Sequence, residues 1–125
     1  MKINKEIEKY LGIKYTEKFG CWEFAKQFSA EVLGIRLSDF TEGAKSAANA
    51  LKNAVESNSL KKVKEPMKDD FVIMDFGLWD RGVGHIGIMI SKRKFIHNRE
   101  GIGVVIEPLS RHTKRVKGIY RYGSY

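Results

Sequence analysis

The chain has 125 residues, of which 42% are hydrophobic and 30% are charged, a composition typical of folded globular proteins that excludes a disordered one. Its formal net charge of +8 favours anionic partners, although solvated basic loops would give the same charge. No apolar run approaches the roughly 20 residues of a membrane span, and the N-terminus does not resemble a secretory signal. We therefore expect one domain over residues 1–125, synthesised in the cytoplasm.

The N-terminal part of the chain is predicted to be helical. Residues 2–12 carry apolar side chains on one helical face, and residues 13–20 have the character of a loop. Residues 21–33 have the clearest helical periodicity, and Gly34 is placed to end that helix. The alanine-rich segment over residues 42–56 predicts a third helix.

Short β-type runs follow one another after Pro66. Glycine or charged residues separate these runs at hairpin-like spacings. The predicted strands are residues 71–76, 85–90, 94–97, 104–108 and 118–122. Helices followed by strands indicate an α+β fold, in which N-terminal helices pack on an antiparallel β-sheet.

The basic residues concentrate in two segments, residues 61–64 and 111–117. Both segments fit solvated loops. They fit equally well a surface that attracts nucleic acid, an anionic cell envelope or an acidic protein partner. Charge alone does not separate these alternatives.

Cys21 is the only cysteine, and it lies where the second predicted helix begins. A helix N-terminus stabilises a thiolate, which is the reactive form of cysteine. A single cysteine excludes an internal disulfide, and the histidines lack accompanying ligands at a spacing suited to a metal site. Cys21 is thus a candidate nucleophile, with a buried structural cysteine as the alternative.

Two histidines in the predicted strands are candidates for the base that a nucleophilic cysteine needs. Strand alternation places His85 and Gly87 on one face, and a strand glycine predicts close approach of another backbone, here the helix of Cys21. Pairing of the next strand through a short turn would bring His97 near His85, as in a catalytic triad. A solvent-bonded strand-end residue is the alternative for His85, and His112 is expected at the surface.

These motifs, in this order, resemble the NlpC-type cell-wall cysteine peptidases, a papain-like family. Residues 20–23 read Gly-Cys-Trp-Glu, near the family's Asp-Cys-Ser-Gly or Asp-Cys-Trp-Gly, and residues 66–73 loosely match its Pro-x-x-Gly-Asp strand opening. Residues 85–88 read His-Ile-Gly-Ile and fit its histidine motif, and residues 97–98 hold a third polar group. Residues 118–121 resemble its closing strand.

The resemblance implies a role for each of these residues. Cys21 would be the nucleophile, His85 the general base and acid, and His97 the orienting residue. Tyr15 and Trp22 would contact the substrate, and no cofactor is implied. The Cys21 backbone amide would contribute to an oxyanion hole.

The sequence departs from the family pattern on both sides of the cysteine. Gly20 replaces the usual acidic residue, and Trp22 replaces the usual serine. Because those two positions help cell-wall recycling members recognise the free amine of a muropeptide, the substrate stays open. The Cys-Trp pair and residues 31–35 look most like small members found among phage-tail proteins.

We therefore expect a cysteine hydrolase that cleaves amide bonds in peptidoglycan stem peptides through a thioester. Delivery in a phage particle or by a dedicated export route would bring it to the envelope. A phage-tail or immunity protein is a further expected partner, whereas nucleic acid is not expected as the main one. The alternatives are an amidase, acyltransferase or toxin acting on another substrate, and a non-catalytic phage-tail or polyanion-binding module.

Overall fold

The computed structural model describes residues 5–36, 60–75 and 85–123. Its helical elements are α1 (Lys5–Glu8), α2 (Cys21–Phe28), a π-helical turn (Ser29–Leu33) and a 3-10 helix (Leu109–Arg115). Its strands are β1 (Leu60–Val63), β2 (Phe71–Met74), β3 (His85–Met89), β4 (Lys94–Arg99), β5 (Gly103–Pro108) and β6 (Val116–Tyr122). The helix predicted over residues 42–56 lies outside the described residues. Within those ranges, no helix is long and apolar enough to cross a membrane.

Helix α2 forms where its apolar spacing predicts it. The Glu23 carboxylate accepts a hydrogen bond of 2.9 Å from the Gly20 backbone N–H, which satisfies a donor that the first turn would otherwise leave open. The helix continues into the π-helical turn and ends at Gly34, whose φ of 72° is in the left-handed region. The side chains that it buries are those of Phe24, Ala25 and Phe28.

The six strands form one antiparallel sheet in the order β1-β6-β2-β3-β4-β5. The predicted α+β class is therefore confirmed, with α2 packed across β3 and β4. Strand β1 was not predicted, because two of its four residues, Lys61 and Lys62, were interpreted as part of a basic segment. The backbone groups of β1 pair with those of β6, which the lysine-rich sequence does not indicate.

Both faces of the sheet carry buried apolar side chains. The face toward α2 joins the two buried phenylalanines of the helix to the isoleucines of the central strands, including Ile86, Ile88 and Ile96. The opposite cluster is smaller and consists of Val72, Met74, Met89 and Phe95. Because the central strands are covered on both sides, they are continuous apolar runs, and their polar residues stand out.

Arg121 on β6 ties the last strand to the start of β2. Its Nε and one terminal nitrogen each donate to a different oxygen of Asp70, both at 2.8 Å. Asp70 is 1% exposed and also accepts the Met67 backbone N–H. This bidentate geometry is one that lysine cannot reproduce.

Replacing Arg121 with alanine should lower the free energy of unfolding by about 3 kcal/mol, because Asp70 would keep a buried charge without its partner. Lys117→Ala, at an exposed position on the same strand, is the matched control and should change it by less than about 0.5 kcal/mol. Urea denaturation measures both variants. Equal effects would show that the pair contributes little.

Candidate active site

Cys21 is half-buried at the first residue of α2, where the backbone amides of a helix have no acceptor within the helix itself. The segment before it is fixed to the sheet by Asn98 on β4. The Asn98 side-chain amide donates to the carbonyl oxygens of Phe19 at 2.8 Å and Gly20 at 3.4 Å. The start of α2 therefore has a defined position relative to β4, the strand that also carries His97.

Tyr15 lies against the backbone immediately before the cysteine. A Cβ atom built on Gly20 would lie 3.1 Å from the Tyr15 hydroxyl oxygen and 3.2 Å from a Glu23 carboxylate oxygen. A larger residue at position 20 would therefore require a small shift of Tyr15 or Glu23. Trp22 is partly buried against the core, and its predicted substrate contact stays a prediction.

The loop that carries Tyr15 is held on the edge of the sheet. The Gly12 N–H donates to the Val104 carbonyl at 3.0 Å, and the Val104 N–H donates to the Ile13 carbonyl at 2.9 Å. These two bonds cover part of the outer edge of β5.

His85 and His97 are in direct hydrogen-bond contact. His85 Nε2 lies 2.7 Å from His97 Nδ1, and the ring centroids are 4.9 Å apart at nearly a right angle. Strands β3 and β4 are antiparallel neighbours, and the Ile90 N–H donates to the Lys94 carbonyl across their turn. The hairpin predicted from sequence is therefore what brings the two imidazoles together.

Gly87 serves a different purpose from the one predicted. A Cβ on Gly87 would lie 2.8 Å from a ring carbon of Phe95 and 3.3 Å from the His97 Cβ. The expectation that the helix of Cys21 presses on this glycine is wrong, because α2 packs on the face of Ile86 and Ile88. The missing side chain makes room for β4 side chains, His97 among them.

Glu107 on β5 is a buried carboxylate that the sequence interpretation missed. One of its oxygens lies 2.7 Å from His97 Nε2. In the β4–β5 register Glu107 is opposite Phe95, so His97 is its diagonal neighbour on the same face. The available signal was a lone acidic residue in the apolar run of residues 104–108, beside the histidine-bearing strand.

His112 is buried, so its expected position at the surface is wrong. It is 3% exposed, its ring packs 5.6 Å from that of Phe95, and its Nε2 lies 3.2 Å from the second oxygen of Glu107. Arg115 reaches its other nitrogen, Nδ1, at 3.2 Å. The 3-10 helix after β5 turns this residue of the basic segment back onto the sheet.

Comparison with known proteins identifies the family of this chain. The family model described as NlpC/P60 matches residues 9–120. The chain belongs to the NlpC/P60 family. Membership confirms the resemblance drawn from the sequence motifs.

A solved structure shares the fold of this NlpC/P60 chain. It is a Staphylococcus aureus protein described as similar to a lipoprotein of the NLP/P60 family. The two agree with a TM-score of 0.66 at 15% identity, over 100% of this chain and 44% of the other. This chain thus spans less than half of that protein, and the likeness concerns the fold alone. No curated protein sequence matches the chain.

Burial keeps both histidines of the NlpC/P60 site neutral near neutral pH. Loss of hydration, with a smaller contribution from the neighbouring His97, lowers the pKa of His85 to about 3. Loss of hydration also lowers the pKa of His97 to about 4, although the hydrogen bond to Glu107 opposes the change. An unprotonated His85 is in the form required of a general base.

Glu107 is ionised in the same conditions. Burial alone would raise its pKa, but the hydrogen bond from His97 and the close approach of His112 outweigh that effect and the pKa is lowered. Despite the cluster of histidines, no group of three or more His, Cys, Asp or Glu residues in the described ranges could hold a metal ion. The ring nitrogens face one another and the carboxylate instead of a common centre.

The protein should lose stability as the pH falls from about 7 to about 4. Both histidine pKa values are lowered on folding, so the unfolded chain takes up protons first, and each histidine removes roughly 2 kcal/mol by pH 5. Urea denaturation across this pH range measures the effect. His85→Asn should reduce the proton uptake on unfolding by about one. An unchanged pH slope in that variant would contradict the lowered pKa of His85.

Proposed function

We propose that this protein is a cysteine hydrolase that cleaves an amide bond in peptidoglycan stem peptides, with Cys21, His85 and His97 as its triad. The hydrogen bond of 2.7 Å between His85 and His97 carries the proposal, because it leaves Nδ1 of His85 as the nitrogen that can take a proton from a thiol. Membership of the NlpC/P60 family supports the chemistry and the class of substrate.

The proposed reaction has two halves. Nδ1 of His85 takes the proton of the Cys21 thiol while the sulfur attacks the amide carbonyl, and the oxyanion accepts hydrogen bonds that include the Cys21 backbone N–H. Breaking the C–N bond leaves a thioester, and His85 returns its proton to the departing amine. Water then attacks the thioester, with its proton passing to His85, and the new carboxyl group and the free thiol are released.

Tyr15 and Trp22 are proposed to form part of the substrate groove. Support for this comes from the Tyr15 hydroxyl, which lies beside Gly20, and from the position of Trp22 directly after Cys21 in the sequence. Since position 20 is a glycine with the Tyr15 hydroxyl beside it, we propose that the substrate is recognised without a carboxylate at that position. The chosen stem peptide would then differ from those with a free amine beside the scissile bond.

The surface charge supports an anionic substrate. Exposed basic residues occupy the β3–β4 turn and the 3-10 helix, and the Leu109 N–H donates to the Arg93 carbonyl, which brings these segments together. Long-range attraction of this kind raises the rate of encounter with a negatively charged envelope. We propose that a phage particle or a dedicated export route delivers the protein there, with a tail or immunity protein as a partner.

Cys21→Ala should abolish release of soluble peptides from purified sacculi, because the thiol that forms the acyl intermediate is removed. Circular dichroism and thermal unfolding check that the variant stays folded. Mass spectrometry of acid-quenched wild-type reactions should find the acyl group on Cys21, the only cysteine in the chain. Release that persists in the variant would exclude the thiol mechanism.

The same reaction in ¹⁸O-labelled water separates hydrolysis from acyl transfer. A hydrolase should place one labelled oxygen in each new carboxyl group, whereas a transferase should place the acyl group on an added amine without label. Binding to sacculi with no release by the wild-type protein would favour the non-catalytic module. A folded protein that releases unlabelled amide products would contradict the proposed hydrolysis.

A further inference from the structure

The contact with Arg115 determines which ring nitrogen of His112 carries the proton. A guanidinium group only donates, so the Arg115 nitrogen that lies 3.2 Å from His112 Nδ1 makes that nitrogen an acceptor. The proton of the His112 ring is therefore on Nε2. This nitrogen lies 3.2 Å from one oxygen of Glu107, close enough for electrostatic attraction although not aligned as a hydrogen bond.

The Glu107 carboxylate likewise determines which ring nitrogen of His97 carries the proton. The other Glu107 oxygen lies 2.7 Å from His97 Nε2, and because an ionised carboxylate only accepts, this nitrogen carries the proton. A neutral imidazole has one N–H, which leaves His97 Nδ1 as an acceptor. His85 Nε2, at 2.7 Å, must then be the donor to it.

We propose that Glu107 is a positioning residue, whose carboxylate fixes the tautomers of His97 and His85 and leaves Nδ1 of His85 unprotonated to accept the Cys21 proton. The proposal rests on the proposed function only in taking Cys21 as the group that loses this proton. It assigns a fourth residue to the site, on a strand that carries none of the other three. Glu107 acts through His97 and does not touch the thiol.

The charged groups that face Glu107 come from two elements. They are His97 and Arg99 on β4 and Arg111 and His112 in the 3-10 helix. One Arg99 nitrogen lies 3.3 Å from one carboxylate oxygen and 3.4 Å from the other, so it favours neither. Arg111 is largely exposed and 4.0 Å away, which makes its contribution small. His97 and His112 therefore determine that each of the two carboxylate positions must offer an acceptor.

Glu107→Gln should exchange the donor and acceptor roles in the hydrogen bonds that link residue 107 to His97 and His97 to His85. The amide offers one accepting oxygen and one donating nitrogen where the carboxylate offered two acceptors. Arg115 keeps the His112 proton on Nε2, 3.2 Å from one Glu107 oxygen, so electrostatic attraction turns the glutamine oxygen toward His112 and the NH₂ group toward His97. His97 then donates from Nδ1, His85 accepts at Nε2, and the proton of His85 moves to Nδ1.

The test is the pH profile of Cys21 alkylation by iodoacetamide, which requires no peptidoglycan substrate. With an unprotonated Nδ1 on His85, base-assisted alkylation in the wild-type protein should change less than about threefold between about pH 6 and pH 8. In Glu107→Gln the thiol must lose its proton to solvent, so the rate should rise at least about tenfold over the same interval. Glu100→Gln, an exposed position in the β4–β5 turn, is the matched control and should follow the wild type.

A second substitution should restore the flat pH profile, which would not happen if Glu107 had a purely structural role. In Glu107→Gln combined with His112→Phe, the glutamine oxygen is free to turn toward His97, and the flat pH profile should return. If Glu107→Gln does not fold, Glu107→Asp keeps the carboxylate and should keep a flatter profile than Glu107→Ala. A wild-type profile in Glu107→Gln, or equal profiles in the aspartate and alanine variants, would overturn the proposal. If these profiles are as expected but the wild-type protein does not hydrolyse sacculi, the result would instead count against the proposed substrate.

Discussion

The organisation of the site depends on a buried carboxylate that can only accept hydrogen bonds. Glu107 receives one from His97 and faces the Nε2 of His112, and its lowered pKa keeps it ionised beside them. An anion in this position would be costly without donors around it, so the donors and the carboxylate are kept together. The carboxylate fixes the proton of His97 on Nε2, and the single hydrogen bond between the two rings then fixes the proton of His85 on its own Nε2. The proposed base is thus prepared by a residue two strands away.

The antiparallel sheet is what makes this arrangement possible. His85, His97 and Glu107 lie on β3, β4 and β5, three consecutive strands joined by short turns, so a local chain path brings them together. Asn98 follows His97 and holds the segment before Cys21 from the α2 side of β4. One strand therefore contacts both the histidine pair and the start of the nucleophile helix. Gly87 leaves the space that the β4 side chains need.

The sequence was sufficient for the elements whose signal is local. The periodicity of residues 21–33 predicted α2 with its continuation, and the alternation in β3 and β4 predicted the hairpin that pairs His85 with His97. Glu107 was missed because its contact depends on the register of β5 against β4, which one sequence does not reveal. His112 was misplaced because its flanking basic residues indicated solvent, whereas the 3-10 helix turns it inward. Strand β1 was hidden by lysines at its exposed positions.

The ring-nitrogen protonation of the wild-type histidines tests the central claim most directly. Long-range ¹H–¹⁵N correlation spectra of ¹⁵N-labelled protein near neutral pH distinguish an N–H nitrogen from an unprotonated one in each imidazole. The account predicts that both His85 and His97 are neutral, with the proton on Nε2 and Nδ1 unprotonated. A proton on Nδ1 of His85, or a positively charged His85 ring at this pH, would contradict it.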